Sequence, residues 1–579
     1  MNRARLIAVA RGDEPADLVL ENARVVNVYT GEIERADIAV AEGHIAGVGD
    51  YTSAPAHERQ DLQEAFLAPA YIDAHIHLES TMLLPAEFAR AVLPHGSACA
   101  VCDPHEIANV MGLEGIKLLM QLAEDVPFDY YFTLSSCVPA THLETSGASL
   151  SAADLETLIA KPRIAAMAEM MNFPGVFMRF PEVLAKLEVA HGHCKLVDGH
   201  APMLRGRDLN AYIAGGISSD HECTTLDEAR EKLARGMWIF IREGSTEKNL
   251  EALLPLVNPT TTARCCFVTD DRHPEELLES GHLNYNVHKA IGLGLDPVTA
   301  IRLATINPAN YFGLKYRGAI APGYIADMQV LSDLGDGLLK PHAVYKDGML
   351  AAKDGVLALN ITRPWPPESA MRTVNIPRCL NAKDFALSGS PHVRVIRVIP
   401  GQIVTGSLTA NVPAANGMLQ SDVAHDILKL AVFERYTGKM GHSIGFVQGF
   451  GLKRGAIASS VAHDSHNLIT VGTNDEDLAS AMTALVEMQG GFAIALDGKV
   501  IARMPLPFAG LIAAECAADA AAHNKAVLKA VKEKLDCALE NPFMALSFLA
   551  LPVIPELKLT DKGLVDVAKF DFVPLHADG

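Results

Sequence analysis

Across residues 66–315 the chain repeats one pattern, a short and continuously apolar run followed by a stretch with helical spacing. RIAAMAEM, CKLVDG, MWIFIREG and RCCFVTD are runs of the first kind; SAADLETLIAK and TLDEAREKLARG are stretches of the second. A strand covered on both faces loses the polar alternation of a half-exposed strand, and parallel strands need a long return connection that a helix supplies. Eight such runs begin near Phe66, Cys99, Phe128, Ile164, Lys195, Gly216, Met237 and Cys265. Eight strand–helix units in roughly 250 residues predict an α/β fold, a (β/α)8 barrel of the TIM type.

The flanks read differently. DLVLENARVVNV and ADIAVAEGHIAGVGD alternate apolar and polar residues around Gly31, Gly43 and Gly47, which predicts antiparallel strands. The texture returns between Gly318 and Ala358, with Asp347-Gly348 and Asp354-Gly355 as hairpin turns. Residues 1–65 and 316–372 are therefore expected to form one small β-sandwich domain beside the barrel of residues 66–315. Beyond the Pro-rich TRPWPPESAMR, residues 373–579 are expected to form a separate α+β domain. Within it Asp422–Tyr436 and Asn474–Gln489 have helical patterns, and IALDGKVIA reads as a hairpin through Asp497-Gly498.

A net charge of −20 argues against a nucleic-acid surface. The apolar start of the chain is broken by Arg11, Asp13 and Glu14, so no secretory core forms, and no run of about 18 apolar residues suits a membrane. Ten scattered cysteines read as reduced thiols, and the expected setting is the cytoplasm, with no membrane or nucleic-acid partner.

Barrel folds of this kind keep their chemistry at the C-terminal ends of the strands. In YIDAHIHLES strict alternation puts Asp73, His75 and His77 on one face, with Ile72, Ala74 and Ile76 packed outward against helices. Reading the strand ends in order gives His75 and His77, Asp103, Glu169, His200, His221 and Asp270. So many imidazoles and carboxylates converging out of water call for a compensating cation. The set suits two divalent ions about 3.5 to 4 Å apart, with His75, His77 and Asp270 on one, His200 and His221 on the other, and Glu169 shared. Asp103, His105 and Glu106 follow the second strand, where Asp103-Pro104 also reads as a helix start. Asp271, Arg242 and Glu243 stand where a substrate edge would be read. In the last domain AHDSHN gathers His463, Asp464, His466 and Asn467, either over the barrel mouth or in a surface turn, and Gly441-His442-Ser443 is a weaker cluster nearby.

The HxH strand, the later His, His and Asp, and LATINPANYFGLKYRGAIAPGYIADMQVL resemble the amidohydrolase superfamily. CDPHEIANV, AEMMNFPGV, VDGHAP, TDDRHP and VAHDSHNLITVG resemble, more narrowly, the bacterial adenine deaminases. That resemblance implies hydrolytic deamination of a small-molecule purine, adenine to hypoxanthine and ammonia, at a binuclear manganese or iron centre, zinc being a further choice for the same ligands. It implies Asp270 as ligand and proton shuttle, Glu169 as the shared ligand, Asp103 as an assisting group, and a homodimer or larger assembly.

Other chemistries were weighed. Single-zinc deaminases use H-x-E with P-C-x-x-C; His77-Leu78-Glu79 and Cys99-Ala-Val-Cys102 imitate this, yet the proline is missing and residues three apart on a strand face opposite sides. A related enzyme acting on another purine such as N6-methyladenine, or a cyclic amidase or deacetylase, is the remaining alternative. Hydantoinase-like relatives bridge their metals with a carboxylated lysine on strand four, where this chain has Glu169.

Overall fold

The computed structural model describes residues 2–335 and 339–578. Eight parallel strands form its centre: β1 Tyr71–Ile76, β2 Ser97–Cys102, β3 Asp129–Leu134, β4 Ile164–Met170, β5 Leu196–Gly199, β6 Ser219–Asp220, β7 Trp238–Arg242 and β8 Cys265–Val268. They lie in two sheets, β1 to β5 in one and β6 to β8 in the other, each paired in chain order. Single parallel bridges, Ile76 to Asp270 and Val197 to Ile217, link the two, so the parallel surface is curled and incompletely closed. Of the expected closed barrel the structure shows a curled, incompletely closed parallel surface of two bridged sheets. The break beside β6 has a local cause: this strand is two residues long, and its polar sequence turns Ser219 Oγ to the Asp198 carboxylate at 3.0 Å.

The first expected strand is corrected. Phe66–Pro69 belongs to a nine-stranded, sandwich-like sheet, pairing with Arg24 and Val25 on one side and with Met328–Leu331 on the other. Pro69 has no N–H to continue a ladder, and the chain enters β1 two residues later. The turns at Asp347-Gly348 and Asp354-Gly355 fall where expected, between strands of the same sheet.

The C-terminal region is built on an eight-stranded, mainly antiparallel sheet. Helix Asp475–Met488 matches its expectation, capped by Asn474, whose side chain accepts from the Asp477 N–H. The IALDGKVIA hairpin is present between Gly491–Leu496 and Lys499–Pro505. The helix expected over Asp422–Tyr436 is instead a fully buried strand, Ile427–Phe433, paired on both sides. Six apolar residues around the buried Lys429 in a central strand look the same as one buried helical face, and burial rather than period decides.

This region sits against the parallel strands. One hydrophobic cluster runs from Leu83 and Phe88 through Phe450, Phe508 and Phe543. Each such side chain contributes roughly 1.5–3 kcal/mol on burial. Polar ties reinforce it: Ala513 N–H donates to Met82 O at 2.9 Å, and Asn467 Nδ2 donates to Thr145 O at 2.8 Å. Among the described residues no helix is long and apolar enough to cross a membrane.

Candidate metal centre

At β1 the pairing with β2 passes from Asp73–Ala100 to Ile76–Cys102, three residues against two. Such a bulge reverses the phase of the side chains. Ile72 and Ala74 consequently pack between the sheets with Val101, Ala166, Phe240 and Val268, while Ile76 turns out against Ile107. Asp73 leaves the site and accepts from Thr269 Oγ1 at 2.5 Å, with His282 Nε2 at 2.9 Å. The face expected to join Asp73 to the histidines, with Ile72 and Ala74 outward, is thus corrected; the bulge delivers His75 and His77 to one place.

Asp270 meets them from β8. Its φ of 58° lies in the left-handed region, which Asp tolerates better than most residues. Its N–H donates to His75 O at 3.0 Å and its carbonyl accepts from His77 N–H at 3.2 Å. Asp270 Oδ1 lies 3.0 Å from His77 Nε2 and 3.5 Å from His75 Nε2. Its Oδ2 takes a 2.5 Å hydrogen bond from Arg242 Nη1.

Glu169, at the end of β4, divides its two oxygens. Oε1 lies 3.5 Å from His77 Nε2 and 3.2 Å from His105 Nδ1; Oε2 lies 2.8 Å from His200 Nδ1 and 3.1 Å from His221 Nε2. His75 and His221 stack with ring centroids 4.2 Å apart. Tyr212, fully buried, ties the two halves by donating to Met170 O and accepting from His200 N–H.

Ligand atoms of His75, His77 and Asp270 lie within 4.8 Å of one another, and so do those of His200, His221 and Glu222. His75, Glu169 and His221 form a third such group, which places Glu169 between the other two. The donors fit a divalent cation. His77 Nδ1 lies 3.1 Å from Asp103 O, which fixes its proton there and leaves the Nε2 lone pair for the site, and His75 Nε2 is buried without a hydrogen-bond partner. Burial favours neutral carboxyls, yet His200 and His221 hold Glu169 well below the usual range, and Arg242 does the same for Asp270. Burial lowers His221, but Glu169 outweighs it and pushes the imidazole up to about 9. The cluster demands positive charge.

Residues 66–352 match the family model described as "Amidohydrolase family", and residues 402–571 match "Adenine deaminase C-terminal domain". A protein named adenine deaminase from Desulfatibacillum aliphaticivorans is 50% identical over 572 residues, 99% of each chain. Another from Dehalococcoides mccartyi strain 195 is 50% identical over 582 residues, again covering 99% of both. The chain belongs to the adenine deaminase family. Among solved structures, one described as an adenine deaminase aligns with a TM-score of 0.45 at 18% identity, covering 58% of this chain and 99% of that one.

In this member of the adenine deaminase family the remaining expected residues divide. Asp103 accepts from His105 N–H at 3.1 Å and from Glu169 N–H at 3.3 Å, and its Oδ1 lies 3.5 Å from His105 Nδ1. Glu243 is corrected out of the site, since its carboxylate is taken by Lys289 Nζ at 2.6 Å and Leu250 N–H at 3.2 Å. His442 is exposed and stacks on Phe433. Arg242 clamps Glu222 as well as Asp270 and lines a cavity beside them, its Nε buried without a partner. His463 and Asp464 do reach over the strand ends, and with His105, Glu106 and Asp271 they line the same cavity. His466, fully buried, stands behind them against Glu106. Ile403, Phe548, Leu551 and Ile554 supply its apolar roof from the C-terminal region.

Glu222 and Lys232 were not expected. Glu222 follows His221 directly, and alternation on a strand assigns it to the opposite face; β6 ends at Asp220, so the rule lapses there. Lys232, fully buried, donates to Ala201 O at 2.7 Å, Asp220 Oδ2 at 3.1 Å and Glu228 Oε1 at 2.7 Å. Asp220 in turn accepts from Ala201 N–H and Glu222 N–H, so this hub fixes the backbone beside His200 and His221. Replacing Lys232 by Met strands two buried carboxylates and is expected to cost about 3–5 kcal/mol. An unfolding free energy from urea titration that falls by less than about 1 kcal/mol contradicts that role.

Proposed function

We propose that the chain catalyses the hydrolytic deamination of adenine, consuming water and releasing hypoxanthine and ammonia. The observation that carries this reading is Glu169, whose two oxygens face separate histidine groups at the mouth of a roofed cavity. On this reading the two bridged sheets act as a (β/α)8 barrel within residues 66–315, apart from the strand Phe66–Pro69, which joins residues 1–65 and 316–372 in the small β domain, with 373–579 as the C-terminal domain. His75, His77 and Asp270 would hold one divalent ion and His200 and His221 the other, with Glu169 shared; the N/O set accommodates Mn2+, Fe2+ and Zn2+, and the family resemblance favours the first two. Bound ions supply Lewis acidity and a water ionised near neutral pH.

The side chains do the rest. Asp270, with Oδ2 held by Arg242, keeps Oδ1 toward the cluster to accept the proton of the attacking water and return it to the purine or the leaving amine. The Asp271 and Asp464 carboxylates line the cavity, each with a buried oxygen free of protein partners, and suit the N–H groups along a purine edge. His105 and Glu106 complete the polar wall, while Met171, Phe548 and Ile554 suit the faces of a flat ring.

The test follows ammonia release by metal-loaded protein from adenine and adenosine, methylamine release from N6-methyladenine, and ring opening of dihydroorotate. Adenine is expected to be turned over. Turnover of another member of the set but none of adenine would assign the scaffold to a different substrate.

A further inference from the structure

Outside the groups assigned to the ions, Glu106, His463 and His466 bring ligand atoms within 4.8 Å of one another, the spacing of a cation site. The tautomers argue otherwise. The Ala462 N–H donates to His466 Nδ1 at 3.2 Å, so that nitrogen carries a lone pair and the neutral ring keeps its proton on Nε2. Nε2 is the atom facing Glu106 Oε2, and a protonated nitrogen has no lone pair for a metal. Burial also pulls His466 down to about 4, which keeps it neutral.

The second histidine of the trio has a different place. His463 Nδ1 lies 2.9 Å from Glu106 Oε1. Its ring stacks on Phe548 at 4.6 Å and 13°, and both residues line the cavity that holds Glu169 and Asp270. Its Nε2 is buried and has no protein partner. A buried polar atom left without a partner costs about 1–3 kcal/mol, and a ligand that supplies one recovers it.

We propose that His463, brought to the site by the C-terminal region, is a catalytic residue whose Nε2–H bonds a ring nitrogen of the purine, with Glu106 and His466 as its positioning residues. This rests on the deamination reading above. When water oxygen bonds to C6, the C6–N double-bond electrons move onto the ring nitrogen, and a fixed donor there stabilises the charge that develops. The proton stays on His463 as a hydrogen bond, so the balance of the reaction is unchanged. Glu106, Asp464, Asp271 and His466 are the titratable groups facing the ring. Burial lowers its pKa, but Glu106 outweighs this and pushes it up to about 9, so the donor form prevails near neutral pH.

The experiment compares wild type, His463→Ala, His463→Gln and Glu106→Gln for adenine turnover, metal content and pH profile. His463→Ala is expected to lose about 10²–10³-fold in kcat with metal content unchanged. His463→Gln, which keeps an amide donor, is expected to recover part of that loss. Glu106→Gln should move the alkaline limb of the pH profile to lower pH. Unchanged kcat in His463→Ala, or equal losses in the Ala and Gln variants, overturns the proposal. So does a third bound ion in wild type that His466→Ala removes. Wild type inactive on adenine fails the deamination reading itself, whereas active wild type with an equally active His463→Ala fails only this inference.

Discussion

Glu169→Gln is expected to lose bound metal and turnover together. The two oxygens of this carboxylate face different histidine pairs, and the amide that replaces it offers one oxygen, no charge and two N–H groups aimed at imidazole lone pairs. Metal content should fall from two ions to one or fewer per chain, and kcat/KM for adenine by on the order of 10³-fold or more. Folding should survive, because Glu169 N–H and O are held by Asp103 and Ser136 and do not depend on the side chain. Full activity with two ions retained would remove Glu169 from its shared position.

Asp270→Asn separates binding from chemistry. The Asn oxygen can still face His75 and His77, but the group cannot accept a proton, and its amide stands against the Arg242 guanidinium. At least one ion should remain, held by Glu169, His200 and His221, while kcat falls by about 10²–10⁴-fold, the usual worth of a general base. Loss of all metal with no further defect after saturation would reduce Asp270 to a ligand.

The strand ends of the site could be read from the sequence because burial makes their polar residues conspicuous. His75, Glu169, His200 and Asp270 each follow a largely apolar run, and the structure brings them together with His221, which follows the polar Ser218-Ser219-Asp220. Other features depended on contacts between distant segments. The bulge in β1 that turns Asp73 away is set by its neighbour Ser97–Cys102, and nothing within YIDAHIHLES announces it. Glu222 was hidden by an alternation rule that needs a longer strand than Ser219–Asp220. Glu243 sits at the end of β7 as expected, yet Lys289, 46 residues later, takes its charge. Ile427–Phe433 read as a helix because its six apolar residues and Lys429 carry no period of two once both faces are covered. The roof of the cavity was least visible: Ile403, Phe548 and Ile554 are ordinary apolar residues until the C-terminal sheet packs against the strand ends.

Stripping the protein of metal and titrating Mn2+ or Fe2+ back while following ammonia released from adenine tests the shared-carboxylate centre most directly. Activity is expected to rise with added ion and level at two equivalents per chain. A plateau at one equivalent, or two tightly bound ions with no ammonia from adenine, would contradict it.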